Sequence, residues 1–305
     1  MGISSKLKLI QTLSGLTQEQ LARKLQVTFA TLNSWMNARS VPRKKTQDRI
    51  EAFLGGLLGE DVPEGDILTV KKALIRQKAS AGNVMDVIAS RKDLLDQLIL
   101  SLTYNTNGIE GSTLTEAETA AVLFEDAALS NRTLTEQMEV KNHRAALLWL
   151  FDHVRAGHKT GQDAVLKMHA VLMNGIRDDA GVYRNHAVRI VGSNIPTANY
   201  VKVPDLMKDL IRDMNRKSDD VIAQTAEIHA RFEQIHPFGD GNGRIGRLLM
   251  QAMLLKTNIV PAVIRKKKKQ VYLRCLNAAQ TRGTFTDLQE FLCDAVLETY
   301  ALIQS

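Results

Sequence analysis

The chain has 305 residues, 44% of them hydrophobic and 5% aromatic, with a net charge of +7. That length suggests about two domains with real cores, and two cysteines, Cys275 and Cys293, exclude a disulfide scaffold or a cysteine metal site. No apolar run approaches the roughly 20 residues of a membrane span, and the start, MGISSKLKLIQ, has neither the apolar segment of a signal peptide nor, with Lys6 in sixth place, the myristoylation pattern. A soluble, cytoplasmic, mainly helical protein is expected.

The positive charge is concentrated at the front. Residues 1–55 hold nine lysines and arginines against three acids, a net +6, and the other 250 residues carry the remaining +1. A basic module ahead of a near-neutral body is expected if the module alone meets a polyanion. Within it, Thr17 and Gln20 form a capping-box pattern before a helix striped by Leu21, Ala22 and Leu25. Thr28 can cap a second helix striped by Leu32 and Trp35, with Val27 just ahead of it. Two short helices joined tightly describe a helix-turn-helix. Residues 5–55 resemble the Cro/repressor type, although Gln26 stands where that family often has glycine. The resemblance implies DNA binding. Thr28 to Asn37 would be the recognition helix, with Phe29, Asn33, Ser34 and Asn37 facing base edges. Arg39, Arg43, Lys44 and Lys45 would meet phosphates. One such module binds weakly, so a homodimer is expected.

LGGLLGEDVPEGD then marks a boundary. The division is a domain over 1–55, a linker over 56–66 and a body over 67–305. In the body, helical spacing recurs over 67–80, 85–105, 115–128, 132–156, 161–176, 204–217, 220–235, 244–258, 271–281 and 285–303. One stretch differs: AVRIVGSNIPTANYVKVP alternates about a Gly-Ser-Asn turn and predicts a hairpin from Val188 to Val203. The basic run RKKKKQ (265–270) reads as a solvated loop. The fold class is all-α, with a small hairpin and an N-terminal helix-turn-helix.

The polar stretch HPFGDGNGRIGR, His236 to Arg247, interrupts two of these helices. Pro237 ends the first by disfavouring helix at His236, and a new helix starts near Gly243. Glycines 239, 241 and 243 let backbone N–H groups converge on a helix N-terminus, an anion site. Arg244 and Arg247 lie one turn apart and can reach the same polyanion. Asp240 would repel a bare phosphate, so it fits only with a divalent cation between them. His236 sits at the loop mouth as a candidate base. These are the parts of a nucleotidyl or phosphoryl transferase. Gly241 to Gly246 also matches GxGxxG, but the preceding text is helical and no acid occurs between Asp240 and Asp287, which excludes the dinucleotide-binding reading.

This stretch fits the Fic-family motif at every fixed position, and GVYRNHAVRIVGSNI, EVKNHRAAL and IHARFEQIHPF resemble Fic text too, over about residues 95–300. The resemblance implies AMP transfer from ATP to a Ser, Thr or Tyr hydroxyl of a protein, this chain included. His236 would deprotonate the hydroxyl, and Phe238 would anchor the loop. Asp240 would hold Mg²⁺. Gly241, Asn242, Gly243 and Arg244 would cradle the α- and β-phosphates, and Arg247 would take the γ-phosphate. The hairpin becomes a target-docking flap, with Val188, Ile190, Ile195 and Val201 along it, pairing with an extended target.

A second motif, TNGIEG at Thr106 to Gly111, resembles the inhibitory helix of one Fic class. It implies that Glu110 pairs with Arg247 and blocks the γ-phosphate position, over an inhibitory helix around 100–111. In such proteins the same glutamate can also support AMP removal. His229 reads as a packed core histidine, and a place for Tyr272 beside the adenine is the lesser of its two readings. A DNA-binding regulator whose body senses nucleotide without chemistry is the alternative.

Overall fold

The computed structural model describes residues 1–58, 66–190 and 195–304. The N-terminal domain holds α1 (Ile3–Ser14), α2 (Gln18–Lys24), α3 (Phe29–Met36) and α4 (Lys44–Leu58). Thr17 caps α2 in a full capping box with Gln20, and Thr28 caps α3 through the Thr31 N–H at 3.2 Å. Gln26, in the tight turn between them, is left-handed at φ 57, a conformation that glycine takes without steric cost. Leu21, Leu25, Leu32, Trp35 and Ile50 close the domain's core. The expected linker does not begin at 56. Helix α4 runs through Gly55 and Gly56 to Leu58, because Phe53, Leu54, Leu57 and Leu58 make an apolar stripe that packs on the core, and packing overrides glycine's low propensity. Residues 59–65 of that linker lie outside the described residues.

The body follows as α5 (Ile67–Ser80), α6 (Val84–Ser90), α7 (Lys92–Glu110), α8 (Glu116–Phe124), α9 (Leu134–Arg155) and α10 (Gln162–Leu172). It continues with α11 (Val203–Met214), α12 (Val221–Ile235), α13 (Asn242–Lys256), α14 (Lys269–Arg282) and α15 (Thr286–Gln304). The single helix expected over 85–105 is two, broken at Arg91, whose backbone is extended. Its second half then runs on through Gly108 to Glu110. Helix α13 is the axis of the body. Nearly every residue from Asn242 to Leu255 is buried, as required of a helix enclosed on all sides, here by α7, α9, α10 and α12. The two domains touch where α1 packs against α15 and α5. Cys275 and Cys293 are free and buried, and no described helix is long and apolar enough to cross a membrane.

The hairpin prediction needs correction. Among the described residues of 188–203 no strand forms. Thr197 Oγ1 donates to the Val188 carbonyl at 2.8 Å, so the two arms do approach each other. Val201 leaves the predicted arm altogether: it lies in a 3-10 turn, Tyr200–Lys202, capped by Asn199 and leading into α11 with Pro204 in its first turn. An Asn cap and a proline at a helix start outweigh the alternation. Residues 191–194 of the turn lie outside the described residues.

Candidate active site

The site is built where α12 gives way to α13. Helix α12 stops at Ile235, and His236 turns left-handed at φ 52 and ψ 62, an uncommon conformation for a residue with a side chain. The His236 Nδ1 faces the Glu233 carbonyl at 3.1 Å. A carbonyl can only accept, so Nδ1 carries the proton and Nε2 keeps its lone pair. Burial holds the His236 pKa below the ordinary 6.5, which favours the neutral ring.

Phe238 is fully buried and lies flat against His169, ring centres 3.7 Å apart and 6° from parallel. His169 also fixes the loop's backbone. Its Nδ1 accepts the Gly181 N–H at 2.8 Å, so its Nε2–H donates to the Asp240 carbonyl at 3.1 Å. Burial lowers the pKa of this ring to about 4, which keeps that tautomer neutral. The Asn242 side chain is already in use within the loop. It accepts from the Phe238 N–H and donates to the Phe238 carbonyl, both at 2.9 Å. Only its backbone is left for a phosphate.

Gly241 precedes α13 at φ 77, and no side chain caps the helix. The first N–H groups of α13 therefore present the unpaired donors and partial positive charge that bind anions. Asp240 stands beside this end with its side chain 55% exposed, its Oδ1 accepting the Gly241 N–H at 2.6 Å. Arg244 is buried and donates to Glu139 of α9 at 2.6 Å.

Arg247 is also buried, and its partners come from the end of α7. Its Nε donates to Thr106 Oγ1 at 2.9 Å and its guanidinium pairs with Glu110. The Arg247 pKa is raised: burial works against the charge, and the Glu110 carboxylate outweighs burial. Burial likewise works against the Glu110 charge, but Arg247 and then Arg244 hold its pKa below the ordinary 4.5. The predicted inhibitory pair is thus in contact, with both groups ionised at neutral pH. Gly243 makes room for it, since a Cβ there would fall 2.4 Å from Glu110 Oε1.

Arg184 has a role that sequence reasoning did not supply. Its buried guanidinium donates to the carbonyls of His236 (2.7 Å), His186 (2.7 Å), Ala198 (2.5 Å) and Ile235 (3.3 Å). It therefore ties Ala198 of the 188–203 segment, and His186 just before that segment, to the turn that carries His236. Along that segment Val188 and Ile190 are half-buried, Ile195 is buried and Val201 is exposed. Tyr272 is enclosed in the core, where its hydroxyl meets His229 Nε2 at 2.6 Å, so the lesser reading that set it beside an adenine falls away. The packed reading of His229 holds. The basic run is not a solvated loop: Lys268 pairs with Glu298 and Lys266 lies on α7.

Beneath Arg247, burial pushes the Glu233 carboxyl up to about 8, with Arg247 pulling the other way. Gly246 lets this group approach α13, because a Cβ there would lie 2.5 Å from Glu233 Oε1 and 3.1 Å from the His229 and Phe232 rings. Gly246→Ala is expected to cost about 1–3 kcal/mol by overpacking, read as a lower urea midpoint with an unchanged slope.

In the basic domain, Phe29 is 46% exposed and Arg39 and Arg43 are exposed, as a DNA-facing surface requires. Asn37 Nδ2 donates to the Asn33 carbonyl at 2.9 Å, and Ser34 shares a hydrogen bond with Ser40 at 2.7 Å.

Residues 160–254 match the Fic/DOC family, and residues 8–59 match the Helix-turn-helix family. Protein adenylyltransferase fic-1 of Caenorhabditis briggsae is 30% identical over 206 residues, 66% of this chain and 40% of that relative. Protein adenylyltransferase Fic of Nematostella vectensis is 30% identical over 188 residues, 58% of this chain and 42% of that relative. The chain thus spans about 40% of the length of these curated relatives. A Fic domain containing signaling protein from Bacteroides thetaiotaomicron superposes with a TM-score of 0.65 at 22% identity, over 76% of this chain and 96% of that one. Fic-1 from C. elegans superposes with a TM-score of 0.62 at 20% identity, over 97% of this chain and 89% of that one. At these identities the two structures show the fold alone.

Proposed function

We propose that this chain, which carries a Fic domain over residues 160–254 behind a Cro/repressor-type helix-turn-helix over residues 8–59, is a protein adenylyltransferase held in check by Glu110. The observation that carries the reading is one constellation. A neutral histidine with a free Nε2 ends α12, an uncapped N-terminus opens α13 six residues later, and Arg247 of that helix is paired with Glu110.

ATP would lay its phosphates across the N–H groups of Asn242, Gly243 and Arg244, with the γ-phosphate at Arg247. His236 Nε2 takes the proton of a protein hydroxyl. The hydroxyl oxygen bonds to the α-phosphorus, the bond from that phosphorus to the α–β bridging oxygen breaks, and pyrophosphate leaves. Asp240 is a single exposed carboxylate, and no cluster of three or more metal-binding side chains occurs among the described residues. This donor set fits Mg²⁺, which is held largely by phosphates and water. When bound, Mg²⁺ would neutralise charge on the phosphates. Glu110 occupies the guanidinium that the γ-phosphate needs. Arg184 ties Ala198 to the turn that carries His236, which supports a role for the 188–203 segment in presenting a target beside the base.

The reaction needs unprotonated His236, whose pKa lies below 6.5. Transfer by a Glu110→Gly protein is therefore expected to be flat near neutral pH and to fall only as pH drops through that lowered pKa. An initial-rate profile with a plateau starting above pH 7 would contradict this assignment.

The N-terminal domain favours a second, compatible role in binding DNA, supported by its charge of +6 and by exposed Phe29, Arg39 and Arg43. Binding to a palindromic operator by a homodimer is expected to weaken steeply with salt. A fluorescence-anisotropy titration at two salt concentrations checks it, and no binding at low salt would remove the role.

A further inference from the structure

A cleft of about 1240 Å³ lies between the helix-turn-helix domain and the body, away from His236. One wall is α1, through Lys8, Gln11 and Thr12. The other is Tyr104 and Asn105 of α7 with the basic run Arg265 to Lys268. Three acids also line it, and two of them are already matched: Glu298 by Lys268 and Arg265, and Asp294 by Lys71. Glu116 is the third. On the cationic side Lys8 and Lys267 are exposed and have no hydrogen bond or ion pair among the described residues. Lys266 meets only a carbonyl and the Tyr104 ring through its ammonium. Two exposed ammonium groups, and the lining residue Lys266 whose ammonium is held by the Ser112 carbonyl, therefore border a concave space with one unmatched carboxylate, and such a space concentrates anions. Ligand pockets run to roughly 300–1,000 Å³, and this cleft, somewhat larger, has room for a nucleotide-sized anion.

Lys266 belongs to the cleft and to the last turns of α7 at once. Its backbone N–H donates to Asn105 Oδ1 at 2.8 Å, and its Nζ donates to the Ser112 carbonyl at 3.2 Å. Between these points its stem crosses bare backbone at Gly108, where a Cβ would lie 2.5 Å from Lys266 Cδ. Gly108 stands two residues from both Thr106 and Glu110, the two partners of Arg247. An anion that draws the Lys266 ammonium into the cleft removes a strap from the segment that carries Glu110.

We propose that this cleft binds a small polyphosphate, and that its occupancy is transmitted through Lys266 to loosen Glu110 from Arg247. The regulatory half of this proposal rests on the autoinhibited reading above. The test uses the full chain without ATP, with inorganic tripolyphosphate as the probe. Calorimetry gives affinity, and hydrogen–deuterium exchange gives location. Tripolyphosphate is expected to protect residues 265–268 and the end of α1 and to speed exchange over 104–112. Affinity is expected to fall about tenfold or more in Lys8→Glu/Lys267→Glu, where two favourable charges are reversed. Protection confined to 239–246, or unchanged affinity in that variant, would overturn the site. Cleft protection without faster exchange over 104–112 would overturn the coupling. A short duplex at equal phosphate concentration is expected to leave 265–268 unchanged. Protection there by duplex and not by tripolyphosphate would overturn the small-molecule assignment in favour of DNA. None of these readouts uses AMP transfer, so they stand or fall separately from the adenylyltransferase reading.

Discussion

Glu110→Gly is expected to raise the initial rate of AMP transfer about 10- to 100-fold at limiting ATP. The pair it breaks joins a buried guanidinium to a carboxylate whose side chain is 36% exposed. Hydrogen bonds to charged groups contribute about 1.5–3 kcal/mol, and partial exposure favours the lower part of that range. ATP must displace this contact to place a phosphate on Arg247, so removing it returns about that free energy to productive binding. The same substitution leaves Arg247 buried with Thr106 and no fully ionised carboxylate partner, which destabilises the fold. The variant should therefore melt below the wild type without ATP and recover when ATP supplies the counter-charge. A variant that melts lower but shows neither faster transfer nor stabilisation by ATP would place Glu110 in a structural role only.

His236→Asn is expected to reduce transfer by a Glu110→Gly protein about 10²- to 10⁴-fold, the usual contribution of a positioned base, while ATP binding is retained. Asparagine is the informative replacement because His236 sits at φ 52, where asparagine is tolerated better than alanine. The loss should appear in kcat, because in the proposed reaction the ring takes the hydroxyl proton while the N–H groups of α13 would hold the phosphates. Equal loss of ATP affinity would mean that the substitution had collapsed the loop. A thermal melt of the variant separates that case from loss of the base.

The parts of this architecture written in local sequence were legible. Thr17 with Gln20 and Thr28 announced two helix starts because capping is decided within three residues. The polar loop at 236–247 stood out because glycines and charges interrupt two helical patterns. What remained hidden depends on partners far along the chain. Arg184 reaches the His236 carbonyl 52 residues away, and His169 meets the Asp240 carbonyl 71 residues away. A backbone carbonyl has no signature in the sequence, so neither residue could be assigned a task. Arg244 spends its charge on Glu139, and Asn242 spends its side chain on Phe238. Motif spacing does not say which atoms of such residues are already in use. The alternation at 188–203 misled at its C-terminal end, where Asn199 and Pro204 start a helix that outcompetes a strand.

The decisive measurement for the proposed adenylyltransferase is intact-mass spectrometry of the Glu110→Gly protein incubated with Mg²⁺ and ATP, because self-modification requires no known target. If His236 is the base and Glu110 the brake, Glu110→Gly gains one or more AMP units, the wild type gains little, and none is gained when His236→Asn is added. A folded, ATP-binding Glu110→Gly protein that gains no AMP, on itself or on added protein, would contradict these assignments.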